Sequence, residues 1–185
     1  MKVLVIQQRM GIGDMVIFLP YIHAISKKYR TTITVLAKKN SKIDELCESD
    51  EHIKEIIFLD RDKNNKGRHD GIIGFFNLVK EIKEKKFDKV FIFNGSLRFK
   101  LLGKIAGIKE IYQYPLFRKK DNIVTSAKNF TEYYIKENVS TEPKLVLDKE
   151  VVYASKAKDG FDKKQKHICI GFSASGPTKR WDVEK

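Results

Sequence analysis

The sequence predicts an α/β fold built on an open, mostly parallel sheet, and three observations predict it. The chain starts with Val3-Leu4-Val5-Ile6, an uninterrupted aliphatic run of the kind buried on both faces of a parallel sheet. Strand-like and helix-like segments then alternate as far as about residue 113. The stretches between strand-like runs are long enough for crossover connections.

In chain order, Gly11-Ile12-Gly13-Asp14 forms the first turn, and Asp14 is expected to cap a helix over 15–29. Pro20 falls inside that helix and should kink it or cost it a hydrogen bond. A second strand is read over 32–36, a short helix over 41–47 and a third strand over 53–59. Residues 60–70 are polar and turn-like. From Gly71 to Lys86 the apolar residues Ile72, Phe75, Phe76, Leu78, Val79 and Ile82 recur close to helical spacing. A fourth strand follows over 90–93, a helix over 97–106 and a short fifth strand over 110–112. A helix over 129–138 carries Phe130, Tyr133 and Tyr134. Ser140 to Pro143 breaks the pattern, and Asp148 opens a helix to about Lys158, which Gly160 ends. A fresh strand is read over 167–172. The expected organisation is thus a first domain over 1–140, a linker and helix over 141–166, and the opening strand and loop of a second, truncated α/β domain over 167–185.

Composition narrows the function classes. With 42% hydrophobic residues the chain can bury a core, which excludes wholesale disorder. The two cysteines, Cys47 and Cys169, lie far apart, which excludes a disulfide scaffold and a zinc module and fits a reducing compartment. No apolar run approaches the roughly 18 residues of a spanning helix. A soluble, cytoplasmic protein is expected. The net charge of +13 points to anionic partners.

Two loops carry candidate chemistry. After the first strand, Gly11-x-Gly13 is followed by Val16 where a dinucleotide fingerprint needs its third glycine. Asp14 also places a carboxylate where a pyrophosphate would need bare amides, which argues against a nicotinamide cofactor. Asp14 reads either as a helix cap or as a carboxylate at the carboxyl edge of the sheet, able to take a proton from a substrate hydroxyl. The second loop is Gly171-Phe172-Ser173-Ala174-Ser175-Gly176-Pro177-Thr178-Lys179-Arg180-Trp181. Gly171-x4-Gly176 has phosphate-loop spacing, but Pro177 and Thr178 stand where Lys and Ser/Thr are required. It reads as an anion-facing loop of another kind, or as a solvated turn.

Taken together, residues 1–20 (MKVLVIQQRMGIGDMVIFLP) and 171–181 resemble glycosyltransferase family 9, the ADP-heptose:lipopolysaccharide heptosyltransferases. The resemblance implies two Rossmann-like halves, the GT-B architecture, with the site in the cleft between them; most of the second half is missing from this sequence. It implies an inverting transfer of a sugar, heptose in the family, from a nucleotide-sugar donor such as ADP-heptose to a lipopolysaccharide-core acceptor. Asp14 matches the family's catalytic base. Ser173, Ser175, Gly176, Thr178 and Lys179 match the loop facing the donor diphosphate. Asn94-Gly95-Ser96-Leu97-Arg98 resembles an acceptor-facing loop, so Gly13, Asn94, Ser96 and Arg98 are expected at the acceptor. No cofactor and no metal are expected, and the chain is expected to act as a monomer.

Charge supplies the remaining expectation. Arg98, Lys100, Lys104, Lys109, Arg118, Lys119, Lys120 and Lys128 face only Glu110 and Asp121 over 98–128. This reads either as a lysine-rich solvated surface or as a landing surface for an anionic glycolipid, with peripheral contact at the cytoplasmic face of the inner membrane. Arg61, Arg68, Arg98 and Arg118 are the better candidates for direct acceptor contact, because a guanidinium grips carboxylate and phosphate bidentately. The four histidines show no ligand spacing, and His23 is expected to be packed. Phe75, Phe76, Tyr133 and Tyr134 are expected in the core. Two rival readings stand beside the transferase: a basic nucleic-acid-binding module, though Lys and Arg are not interleaved with exposed aromatics, and an inert fragment of a two-domain enzyme.

Overall fold

A computed structural model of the 185-residue chain describes residues 1–9, 11–61, 67–115 and 122–158, together with 164, 166 and 168. The chain divides into two compact units, Met1–Leu147 and Asp148–Lys185. In the second unit the described structure is one helix, α6 (Lys149–Lys158). The strand expected over 167–172 and the loop over 171–181 lie outside the described residues.

The first unit alternates β1 (Val3–Ile6), α1 (Ile12–Tyr29), β2 (Ile33–Ala37), α2 (Ile43–Leu46), β3 (Ile53–Phe58), α3 (Gly71–Lys85), β4 (Lys89–Ile92), α4 (Leu97–Ile105), β5 (Glu110–Gln113) and α5 (Ile123–Ile135). A single 3-10 turn, Lys39–Ser41, precedes α2. The five strands form one sheet in the order β3-β2-β1-β4-β5, every pair parallel. This is the expected α/β class, with the Rossmann-like strand order. β1 is central and buried on both faces, which is why Val3-Leu4-Val5-Ile6 shows no polar alternation. Val3 and Val5 pack with α1 and α5 on one face. Leu4 and Ile6 pack with α3 and α4 on the other.

Several sequence expectations change. Asp14 is not the cap of α1. The helix starts at Ile12, and Gly11 holds the capping position at φ 140° and ψ 149°, without a side-chain cap bond. That backbone region is essentially closed to residues with a Cβ, so Gly11 turns the chain into the helix early and leaves Asp14 within the first turn. Pro20 is buried inside a continuous α1 and offers no N–H to the Val16 carbonyl. α5 begins six residues before the expected Asn129, because the Asn122 side chain accepts from the Val124 N–H at 2.8 Å and caps it. Phe76 and Tyr133, expected in the core, are exposed, whereas Phe75 is buried and Tyr134 half-buried. Ile72, counted in the apolar period of α3, is exposed as well.

His23 is packed as expected, in a buried cluster at the amino edge of the sheet. Its Nε2 lies 2.6 Å from Asp50 Oδ2. Cys47 is buried nearby, and burial, then the Asp50 charge, push its thiol up to about 12. Such a thiol stays protonated and unreactive.

Candidate functional site at the carboxyl edge

Strand order reverses between β1 and β4, and the crevice outside the carboxyl ends of those strands is where open α/β sheets bind ligands. Two of the expected site segments meet there: the turn after β1 and the Asn94–Ser96 loop after β4. Between them lies a cavity of about 390 Å³ lined by Gln8, Arg9 and Asn94 and by the aromatic side chains of Phe18, Phe93 and Tyr114. Arg9 Nη1 reaches Asp14 Oδ1 at 3.7 Å, so the carboxylate has for a neighbour a partly exposed cation that lines the cavity. Gly13 is not demanded by packing, since a Cβ there would meet nothing within 4 Å.

The Asn94 loop is held from both sides. Asn94 Oδ1 accepts from the Ser96 N–H at 2.6 Å. The Gln113 side-chain amide, at the end of β5, donates to the carbonyls of Asn94 at 3.0 Å and Ser96 at 2.8 Å. Gln113 was not legible as a site residue. A lone glutamine ending a short strand carries no local signal, and its role depends on sheet order.

A second group opens on the same edge, at the β3–α3 turn and the start of α4. Arg98 Nη2 donates to the His69 carbonyl at 2.7 Å and Nη1 to the Gly71 carbonyl at 3.4 Å, with the guanidinium 4.9 Å from the centre of the Phe75 ring. Burial, then the neighbouring Arg61 charge, lower the Arg98 pKa. Arg61 Nε contacts the buried Asp70 carboxylate at 3.1 Å. Arg68 pairs with Glu81 at 2.9 Å. The turn is closed by His69, whose N–H donates to the Asp60 carbonyl while its Nδ1 accepts from the Asp60 N–H. The arginines expected to grip an acceptor are thus partly committed to holding this turn. Arg118 lies outside the described residues, as do Ser173, Ser175, Gly176, Thr178 and Lys179.

Two glycines are essential to the turn, and a Cβ on Gly67 would lie 2.6 Å from the Asp60 carbonyl oxygen. A Cβ on Gly74 would lie 2.5 Å from the His69 carbonyl carbon and 2.8 Å from its Cα. Backbone cannot yield as a side-chain tip can. Gly74→Ala is therefore expected to destabilise the protein by about 1–3 kcal/mol, read as a lower urea midpoint at unchanged slope. A variant as stable as the parent would show that the turn moves freely.

Among the described residues, the charge over 98–128 is divided between the two faces of the sheet. α4, with Lys100 and Lys104, packs on one face of the sheet. α5, where Lys128 lies 3.8 Å from Glu132, packs on the other. One Asp-x-Asp sequence is present, Asp60-Arg61-Asp62, against the expectation of a site with no metal-holding pair. Asp60 Oδ2 accepts from the Arg68 N–H at 3.0 Å, and Asp62 lies outside the described residues. Among the described residues no group of three or more His, Cys, Asp or Glu is placed to hold a metal. Nor, among them, is any helix long and apolar enough to cross a membrane.

No protein-family profile matches the chain. A curated relative, the dephospho-CoA kinase of Fusobacterium nucleatum, is 30% identical over 141 residues, covering 71% of this chain and 67% of that protein. Solved structures match over the whole chain. A family 9 glycosyl transferase from Veillonella parvula aligns with a TM-score of 0.73 at 20% identity, covering 99% of this chain and 57% of that one. The E. coli ADP-heptose lps heptosyltransferase II aligns at 0.63 and 19% identity, covering 98% and 58%. The E. coli heptosyltransferase WaaC with ADP-2-deoxy-2-fluoro heptose aligns at 0.64 and 12% identity, covering 100% and 62%. The chain therefore spans about three fifths of the length of these structures.

Proposed function

We propose, for a chain that has the glycosyltransferase family 9 fold and belongs to one sequence family with the Fusobacterium protein, that it serves as the acceptor-side part of a sugar transferase. The observation that carries this reading is the placement of Asp14: within the first turn of α1, at the strand-order reversal, 3.7 Å from the Arg9 guanidinium that lines the cavity there. The donor would be a nucleotide sugar, ADP-heptose being the one the likeness suggests. The acceptor would be an anionic glycolipid of lipopolysaccharide-core type, met at the cytoplasmic face of the inner membrane.

In this mechanism an acceptor hydroxyl oxygen attacks the anomeric carbon of the donor from the face opposite the diphosphate. Asp14 takes the hydroxyl proton as the new C–O bond forms. The bond from the anomeric carbon to the diphosphate oxygen breaks, the nucleoside diphosphate leaves with that electron pair, and the anomeric configuration inverts. Lys179 and the Ser173–Thr178 segment would offset the charge on the leaving diphosphate. Arg61, Arg98 and Asn94 would orient an acidic acceptor.

The name of the Fusobacterium relative points elsewhere, to phosphoryl transfer from a nucleoside triphosphate. The residues of this chain do not support that chemistry. A kinase of the phosphate-loop kind needs glycines followed by Lys-Ser/Thr between strand and helix. Here Gly11 and Gly13, at the start of α1, are followed by Asp14-Met15, and Gly171-x4-Gly176 is followed by Pro177-Thr178.

The test is nucleoside diphosphate release from ADP-heptose by the full-length protein, with and without lipopolysaccharide-core acceptors. Acceptor-dependent ADP release is expected. ATP-dependent phosphorylation without sugar transfer, or salt-sensitive RNA binding alone, would overturn the reading.

A further inference from the structure

The outward face of α3 and α4 carries large apolar side chains that remain exposed among the described residues. On α3 these are Ile72, 78% exposed, Ile73, 79% exposed, and Phe76. On α4, Leu97, Leu101 and Ile105 recur every four residues and form one exposed stripe. The two helices pack against each other, and Arg98 joins the first turn of α4 to the Gly71 carbonyl at the start of α3. Lys80, Lys83, Lys100 and Lys104 are exposed on the same helices, and Glu84 is the acidic residue exposed beside them. α4 itself has no acidic residue.

Aliphatic groups interleaved with lysine suit one kind of partner. The core of a protein–protein interface is depleted in charge, lysine included. A lipid surface takes both features at once: apolar groups enter the boundary between headgroups and acyl chains, and lysines extend along their apolar stems to anionic headgroups. We propose that this face is where the protein lies on an anionic lipid bilayer. The inference rests on the proposed function in one respect, a lipid-linked acceptor. Ile72, Ile73 and Leu97 stand in the first turns of their helices, at the carboxyl edge of the sheet. A headgroup rising from the same bilayer would meet that edge.

The experiment is co-sedimentation of the full-length protein with phosphatidylcholine vesicles, with and without phosphatidylglycerol. Binding is expected with the anionic vesicles and not with the neutral ones. Ile73→Ser with Leu101→Ser should weaken it by at least about tenfold, from the lost apolar burial. Lys100→Gln with Lys104→Gln should weaken it about fivefold per lysine. All four side chains face outward, and an unchanged thermal midpoint would confirm that each variant folds. Absence of vesicle binding, binding equal on neutral vesicles, or binding that both variants retain would overturn the proposal. So would a dimer in light scattering that the apolar variant dissociates. Vesicle binding needs no sugar transfer: a protein that binds but does not transfer would refute the transferase reading alone, and one that transfers but does not bind would refute this face alone.

Discussion

In the full-length protein, Asp14→Asn is expected to lower kcat by about 10²- to 10⁴-fold, the usual contribution of a positioned general base, with little change in donor KM. The substitution is isosteric, so the effect should be chemical. Asp14 is part-exposed and its contact with Arg9 is long, at 3.7 Å between partly exposed groups, so little stability is expected to go with it. Gly11, not Asp14, holds the capping position, so the start of α1 should also survive. The signature to look for is a fall in kcat together with loss of the acid limb of the pH–rate profile, where protonation of the base slows the parent enzyme. A variant with near-parental kcat would remove Asp14 from the reaction. A variant with normal kcat and a raised acceptor KM would make it a binding group instead.

The parts of this fold that were legible in the sequence are those whose physics is local. Val3–Ile6 reads as a buried parallel strand because both faces are covered, and α3 is legible from its spacing. The order β3-β2-β1-β4-β5 depends on where the crossovers lead, which the individual runs do not state. The misreadings have specific causes. Aspartate is a good cap on average, but a glycine at φ 140° decides where α1 starts. A single asparagine without apolar periodicity after it carries little local signal, so the helix was expected only from Asn129 although Asn122 caps it. Helical spacing places Phe76 and Tyr133 on helices without saying which direction faces solvent. The arginines were legible as anion ligands by chemistry, but the carbonyls of His69 and Gly71 that engage Arg98 exist only once the 67–71 turn is folded. Charge contiguous in sequence proved divided by the sheet, and the apolar stripe beside part of it appeared only in the folded chain.

The second large effect is on stability. Asp50→Ala is expected to cost about 1–3 kcal/mol, because it removes one partner of a buried hydrogen bond and leaves the His23 ring nitrogen without it. Asp50 Oδ2 lies 2.6 Å from His23 Nε2, and Oδ1 accepts from the His52 N–H at 2.9 Å. The Ser26 hydroxyl donates its one proton to the Thr31 carbonyl, so at 3.1 Å from His52 Nδ1 it is placed to accept, and Nδ1 carries a hydrogen. The cluster thereby ties the second half of α1 to the residues that lead into β2 and β3. Burial works to raise the Asp50 carboxyl, and the bonds from His23 and the His52 amide overcome it, so its folded value lies below the ordinary one. Burial, then the His23 charge, lower His52. Burial, then the Arg68 charge, lower His69. All three shifts have the same sign: the unfolded chain binds protons that the folded chain resists. Stability should therefore be fully present above about pH 6.5 and start to fall below it, as the unfolded histidines take up protons. A further loss is expected below about pH 4, as the unfolded Asp50 protonates first. Urea unfolding of the parent near pH 7 and near pH 5 checks the first limb, and equal stability at the two would refute it. In Asp50→Ala the limb below about pH 4 should shrink while the histidine limb remains. The cluster sits where β2 and β3 begin, whereas Asp14 follows the end of β1, so the two lie on opposite edges of a parallel sheet. Below its unfolding temperature, Asp50→Ala should turn over per folded molecule like the parent, while Asp14→Asn should unfold like the parent and not turn over. A variant at Asp50 that folds but has lost kcat would mean that the two edges are coupled through α1, the helix that carries both Asp14 and His23.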